Sequence, residues 1–342
     1  MRVLKMPRMT PMGDNTDDSA TLRDSPKQFG HAAYGSNVPF FYTRYGSPVD
    51  LVGLYHGAAC FLVSNGPSLL NLDLELLKRP GVMTMSLNNG AATLLQRGIT
   101  PDFWICVDQP SRFVRQVWLN PGIQKFIPMA AFDKDLWDNE EWKPLADTLK
   151  IKYPRDCPNV LGFRRNDKFA AHRFFTEASF NWGCHQKWGG CRTVLLPAIR
   201  IPYMLGFRRL YLLGVDLHMT AESCYHFEEG RTKGAVNGNE STYRRIVKEY
   251  GPGIRAAADK LGYSIYNCNP ASGLTCFEHK PFAEAIEAEA GLCGPTAKVG
   301  TAGMYIEWAK KHGTTRQQAL EMTGAVPKAA TAPVDTKSEV QK

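Results

Sequence analysis

Residues 60–69 read Cys-Phe-Leu-Val-Ser-Asn-Gly-Pro-Ser-Leu. A short apolar run ends in Ser64, Asn65 and Gly66, and Pro67 then opens a leucine-rich amphipathic segment that continues to Lys78. That order predicts a buried strand, a tight turn and the start of a helix. Proline suits a first helical turn, where its missing N–H would have had no partner anyway. Gly66 predicts a close backbone approach by a ligand, and free amides at a helix start attract phosphate oxygens. The stretch is not a Walker A loop, because no Gly-Lys-Ser/Thr follows, and it lacks a complete Gly-x-Gly-x-x-Gly fingerprint. An ordinary strand–helix turn and a phosphate site both fit these residues.

The chain beyond this turn repeats the pattern. Residues 82–88 predict a second strand ending in Asn88-Asn89, and a short helix over 90–97 closes at Gly98. A third strand over 103–107 delivers Asp108, and much later an apolar run over 210–215 delivers Asp216. Strands of this kind separated by helices imply an α/β, Rossmann-like fold, with a mostly parallel sheet and helices on both faces. The carboxyl ends of parallel strands share one edge, so Asn65, Asn88, Asp108 and Asp216 are expected to converge there. Any one of them could instead be a helix cap. Four at corresponding positions favour a site.

The 342 residues are 44% apolar and carry a net charge of +8, enough for one large core and suited to anionic partners. Much of the basic charge is scattered, its clusters, such as Arg208-Arg209 and Arg244-Arg245, are pairs and not runs, and no helix-turn-helix, zinc-finger or RNA-recognition signature accompanies them. The nine cysteines form no Cys-x-x-Cys pair, and Cys60 and Cys106 sit inside apolar runs, the usage of reduced thiols in a cytoplasmic protein. Cys184, His185 and Cys191, with His218, Cys224 and His226, match no standard zinc spacing. No run of about eighteen apolar residues and no apolar signal core occurs, so neither a membrane span nor secretion is expected. A homo-oligomer is left open.

Residues 1–45 predict a flexible extension, though 34–45 hold enough aromatics to pack on the body, and 325–342 predict a disordered tail. The nucleotide-binding domain is expected over 46–276, with a fourth strand near 126–130, an unassigned stretch over 132–190 and a helix over 192–205 that Gly206 stops. The polar, glycine-containing segment 217–252 predicts a lid inserted after a strand end. A helix over 253–261 and a strand over 264–268 follow it, and helices at 278–291 and 301–322 fall in a C-terminal region over 277–324.

Three groups of residues carry a family resemblance: the turn at 64–69, Asn88 with Asp-x-Pro-Ser at 108–111, and Leu-Gly-Phe-Arg-Arg-Leu-Tyr-Leu-Leu-Gly-Val-Asp-Leu-His at 205–218 followed by Tyr225-His226-Phe227. Together they resemble the bacterial sialyltransferases of glycosyltransferase family 42. They also resemble the related domain-of-unknown-function 115 proteins, among them flagellin-glycosylation factors and an archaeal pterin pyrophosphokinase. Some members look virus-encoded, so a phage origin, and with it the host cytoplasm, is open. The resemblance spans roughly residues 55–275. It implies that Asn65, Gly66, Pro67 and Ser68 surround the nucleotide of an activated sugar, with Asn88, Asn89, Asp108, Thr193 and Asp216 also in contact. Asp108 stands where the sialyltransferases more often have Asn. The family's two lid tyrosines, which hold the leaving phosphate, fall on His218 and Tyr225.

One departure concerns the general base. The family's lid histidine has no counterpart among Tyr243, Lys248, Glu249 and Tyr250, so His218, His226 or Glu249 would have to take the proton. The reading is a glycosyltransferase using a CMP-sugar-like donor by direct displacement. Since family 42 needs no metal, none is assigned and no cofactor is expected. The acceptor could be a glycan, a protein or a modified DNA base. One alternative is a pterin-type pyrophosphokinase in which Asp108 and Asp216 hold Mg²⁺. Another is a noncatalytic nucleotide- or nucleic-acid-binding accessory protein.

Overall fold

The computed structural model describes residues 2–3, 41–45, 48–51, 53–137, 148, 150–163, 175, 193–218 and 233–290. Their strands are β1 (Arg2–Val3), β2 (Phe41–Tyr42), β3 (Pro48–Asp50), β4 (Ala59–Val63), β5 (Thr84–Leu87), β6 (Phe103–Ile105), β7 (Gln124–Pro128), β8 (Val160–Phe163), β9 (Arg209–Leu213), β10 (Ser264–Asn267) and β11 (Glu278–His279). All eleven join one sheet in the order β1-β3-β2-β8-β7-β6-β5-β4-β9-β10-β11. From β8 to β11 every neighbouring pair is parallel. The remaining edge, β2 with β3 and β1, is antiparallel.

The α/β, Rossmann-like class expected from the sequence is therefore what the chain forms. β4 and β5 are buried along their whole length; β4 reads as an unbroken apolar run for that reason, while β5 places Thr84 and Ser86 in the interior. Phe61, Val63, Tyr211 and Leu213 pack beneath Leu69, Leu74 and Leu77 and helix α6 (Phe282–Ala290). Cys60, Leu62, Leu210 and Leu212 face the opposite layer, built from α3 (Leu195–Leu205) and α5 (Gly251–Lys260). The first layer also holds α1 (Gly90–Gln96) and α2 (Arg115–Leu119), the latter with Trp118 edge-on to Trp104 at 4.8 Å. Helix α4 (Lys233–Arg245) runs through a π-helical turn, Ile246–Tyr250, straight into α5.

Several local expectations change. The amphipathic segment after Gly66 is not one α-helix but two 3₁₀ helices, Pro67–Asn71 and Leu74–Lys78. Asp73 separates them, its carboxylate accepting the Glu75 amide at 3.2 Å, a short polar side chain competing with the helix for backbone donors. The fourth strand lies at Gln124–Pro128, two residues early, and the unassigned stretch supplies β8. Phe41 and Tyr42, at the end of the expected extension, are buried in the sheet. Gly206 does stop α3, with a left-handed φ of 105°. Of the segment read as a lid, 233–250 is helical, and 219–232 lies outside the described residues, as do 291–342 with the helix expected over 301–322.

Two buried charges are fully engaged. Glu289 of α6 takes a bidentate pair from Arg209, with Nη2 to Oε2 at 2.8 Å, and the Tyr211 hydroxyl at 2.7 Å. Burial, reinforced by the neighbouring Glu289, pushes the Tyr211 phenol up, so it stays a donor. Lys125 of β7 is enclosed, its Nζ donating to the carbonyls of Asn120 (2.8 Å), Ile123 (3.0 Å) and Pro158 (2.8 Å).

Removing one partner of a buried pair leaves the other charge uncompensated, so Glu289→Ala should cost about 3 kcal/mol in urea denaturation and Tyr211→Phe about 1 kcal/mol. Lys125 gives a pH signature. Burial lowers its pKa to about 7 from 10.5, so between those values the unfolded chain keeps a proton that the folded chain has released. Stability should rise with pH across that window. The stability of wild type relative to Lys125→Met should therefore grow between about pH 7 and pH 9.5, on the order of 2 kcal/mol. A flat difference would contradict the assignment.

Candidate functional site

The chain lays down β4 to β8 outward on one side, then returns to place β9 and β10 on the other side of β4. Strand order thus reverses between β4 and β9. In open α/β sheets the connections diverge at such a point and leave a crevice at the carboxyl edge. Val63 aligns with Ser86 on one neighbour and with Leu213 on the other, so the segments after β4, β5 and β9 do share that edge.

What fills the turn after β4 is protein. The Ser64 amide donates to the Leu213 carbonyl at 2.9 Å, the Gly66 amide to that of Gly214 at 2.9 Å, and the Leu69 amide to that of Gly66 at 3.1 Å. The Ser68 amide donates to Asp216 Oδ2 at 3.0 Å, and its hydroxyl to Oδ1 at 2.5 Å. Pro67 has no N–H. The expected phosphate cradle of backbone amides is therefore not what the turn presents: the Asp216 carboxylate occupies the position an anion would take. Asn269 Nδ2 adds a third donor, to Oδ1 at 2.7 Å. The requirement for Gly66 changes with this. A Cβ there would lie 2.4 Å from the Gly214 carbonyl oxygen and 2.5 Å from Asp216 Oδ2, so the glycine makes room for β9's loop.

The segment after β9 is held from below. Ser272 Oγ donates to the Val215 carbonyl at 2.7 Å, and the Gly273 amide to that of Asp216 at 2.8 Å. Just after them Leu217 adopts a left-handed φ of 50°, a strained conformation for a bulky side chain. His218 follows, exposed, with Nδ1 3.0 Å from the Asp216 carbonyl oxygen. A carbonyl only accepts, so Nδ1 carries a proton, and the ring's lone pair can lie only on Nε2.

Across β4, Asn88 turns the chain with a φ of 49°, its carbonyl accepting Trp104 Nε1 at 2.7 Å. Four buried oxygens in this neighbourhood have no hydrogen-bond partner: Ser86 Oγ, Asn88 Oδ1, Asn89 Oδ1 and Ser111 Oγ. Gly90 packs the start of α1 onto the β4 turn, where a Cβ would fall 2.5 Å from the Ser64 carbonyl oxygen.

The structure thus brings Gly66, Ser68, Asp216 and His218 into one bonded cluster, with Asn65 and Pro67 in the same turn and Asn88 and Asn89 on the adjoining strand. Asp108 is exposed beyond β6. Thr193 caps the approach to α3, its Oγ1 accepting the Leu195 amide at 3.1 Å. Glu249 sits exposed on the π-helical turn, paired with Arg245 at 3.5 Å. Tyr225 and His226 lie outside the described residues, as do Cys184, His185, Cys191 and Cys224. Asn269, Ser272, Ser86 and Ser111 belong to the cluster or its rim and escaped the sequence reading. Asn269 carried the same signal as the others, a polar residue just past an apolar strand. Among the described residues no three His, Cys, Asp or Glu side chains gather as metal ligands, and no helix is long and apolar enough to cross a membrane.

No protein-family model matches the sequence, and no curated protein does. Among solved structures the chain is similar to the MAf glycosyltransferase from Magnetospirillum magneticum, at 15% identity and a TM-score of 0.42, over 88% of this chain and 46% of that one. It is also similar to the sialyltransferase CstII from Campylobacter jejuni, solved with the substrate analogue cytidine-5'-monophosphate, at 17% identity and a TM-score of 0.35, over 66% of this chain and 85% of that one. The chain spans less than half the length of the MAf protein. At this level of similarity no activity passes from neighbour to neighbour.

Because the Gly66 position is closed by protein atoms, Gly66→Ala should destabilise the ligand-free protein by about 1–3 kcal/mol and Gly66→Val by more. Urea denaturation without nucleotide checks this. Wild-type stability in either variant would return the glycine's role to ligand approach.

Proposed function

We propose that the chain is a glycosyltransferase that moves a sugar from a nucleotide-activated, CMP-sugar-like donor to an acceptor hydroxyl by direct displacement. The observation that carries this reading is the set of unpartnered buried oxygens at Ser86, Asn88 and Asn89, at the end of the strand next to the crevice where strand order reverses, with Ser111 one strand further out. Buried polar atoms without partners cost about 1–3 kcal/mol each, and a bound polyhydroxylated ligand is one way to supply what they lack. The family resemblance of the 64–69, 108–111 and 205–218 motifs supports the same ligand class.

In this reading the acceptor oxygen bonds to the anomeric carbon as the bond from that carbon to the donor's phosphate oxygen breaks. The proton of the acceptor hydroxyl passes to His218 Nε2, whose lone pair the Asp216 carbonyl leaves outward by holding Nδ1–H. Stabilising the departing phosphate falls to Tyr225, as the resemblance implies, since the amides of Ser64, Gly66 and Ser68 are already bonded. The pyrophosphokinase alternative, with Mg²⁺ on Asp108 and Asp216, gains no observation: both Asp216 oxygens already accept donors from Ser68 and Asn269.

A panel of nucleotide-activated sugars, assayed for release of the nucleoside phosphate with and without EDTA, tests the proposal. CMP release that survives EDTA is expected, and His218→Gln should lower turnover by about 10²–10⁴ with little change in nucleotide affinity. Failure of every donor, or AMP formation from ATP that requires Mg²⁺, would overturn it.

A further inference from the structure

We infer that Ser68 meets the ligand only as a hydrogen-bond acceptor, reading a hydroxyl or amino donor of the nucleoside, and that Asp216 and Asn269 are the positioning residues that fix this polarity. The inference rests on the nucleotide-donor reading and deepens it. A serine hydroxyl has one proton and two lone pairs. Here the direction of that proton follows from its neighbours. The Ser68 amide can only donate, and it points at Asp216 Oδ2 at 3.0 Å; the Asn269 Nδ2 group points at Oδ1 at 2.7 Å. A carboxylate that receives N–H donors on both oxygens is an acceptor, so the Ser68 hydroxyl, 2.5 Å from Oδ1, gives its proton inward. Its remaining lone pairs have no donor to meet within the cluster, and Ser68 keeps part of its surface open to solvent.

Such a group repels a phosphate oxygen and welcomes an O–H or N–H. Asp216 is 5% exposed, and Ser272 and Gly273 hold its backbone, so the carboxylate cannot swing away to release the proton. Replacing Asp216 by Asn should reverse the polarity. With the amide oxygen on the Ser68 N–H, the amide nitrogen meets Ser68 Oγ and frees the hydroxyl to donate outward, while Asn269 Nδ2 must turn away and give up its bond to residue 216.

Calorimetry with four probes tests this: CMP, its 2'-deoxy and 3'-deoxy forms, and UMP, which lacks the amino group. With wild type, one of the three altered nucleotides should bind about tenfold more weakly than CMP, the loss of a single matched hydrogen bond. In Ser68→Ala that penalty should vanish, the four affinities differing no more than the remaining contacts require. In Asp216→Asn it should vanish too, and affinity for inorganic phosphate should rise. Ser68→Ala removes the hydroxyl's bond but keeps the residue 68 amide and Asn269 as donors to Asp216, so it stays informative if Asp216→Asn unfolds. If Ser68→Ala weakens all four nucleotides equally, or none, the inference falls while the proposed function stands. If wild type binds no CMP at all, both fall.

Discussion

Asp216 carries a nearly buried carboxylate where strand order reverses, between β4 and β9. Taking such a charge out of water costs several kcal/mol unless donors surround it. Here the donors come from two different strand ends, Ser68 after β4 and Asn269 after β10. Satisfying this one group therefore fixes the β4 turn, the β9 loop and the 269–273 segment relative to one another. The other features of the edge depend on it: Gly66 must lack a Cβ, Leu217 must accept a left-handed backbone, and His218 is delivered in one tautomer.

Polar groups elsewhere in the interior show two behaviours. Glu289 and Lys125 have every strong partner they need and serve to lock a helix to β9 and the start of β7 to its surroundings. Ser86, Asn88, Asn89 and Ser111 are left incomplete. Asn120, Gln124 and Asn159, around Lys125 at the opposite edge, also carry unpartnered atoms, of the kind that ordered water commonly answers in protein interiors. The carboxyl-edge group differs by its position beside the strand reversal, where the fold leaves room for something larger than water.

Much of this was legible in the sequence because buried parallel strands announce themselves. The runs ending at Val63, Ile105 and Leu213 are continuous and apolar, the one ending at Leu87 is apolar but for Thr84 and Ser86, and the polar residues just beyond them had to share an edge. What was not legible depends on contacts between distant segments. Nothing local says that Asp216 would reach back to Ser68, so the turn's amides looked free for a phosphate. The helix expected after Pro67 gave way to two 3₁₀ turns because Asp73 binds its own neighbourhood. β8 was hidden in a stretch dense with Trp, Lys and Arg, and β2 and β3 are too short to show a period. Asn269 was missed although it follows the same rule as Asn65 and Asn88.

The pairing of β4 with β9 has a consequence for how the molecule comes into being. Ser68 and Asp216 are 148 residues apart, and loop closure over such a span is slow compared with the pairing of β4 through β8, which are successive neighbours. During synthesis the first half of the sheet can therefore assemble while one flank of β4 is still bare. That flank is a run of Ala, Cys, Phe, Leu and Val with unpaired backbone groups, the kind of edge on which chains stick to one another. The crevice thus closes only after β4 to β8 have been laid down, and the interval between β8 and β9 is one in which that bare flank is open to a wrong partner.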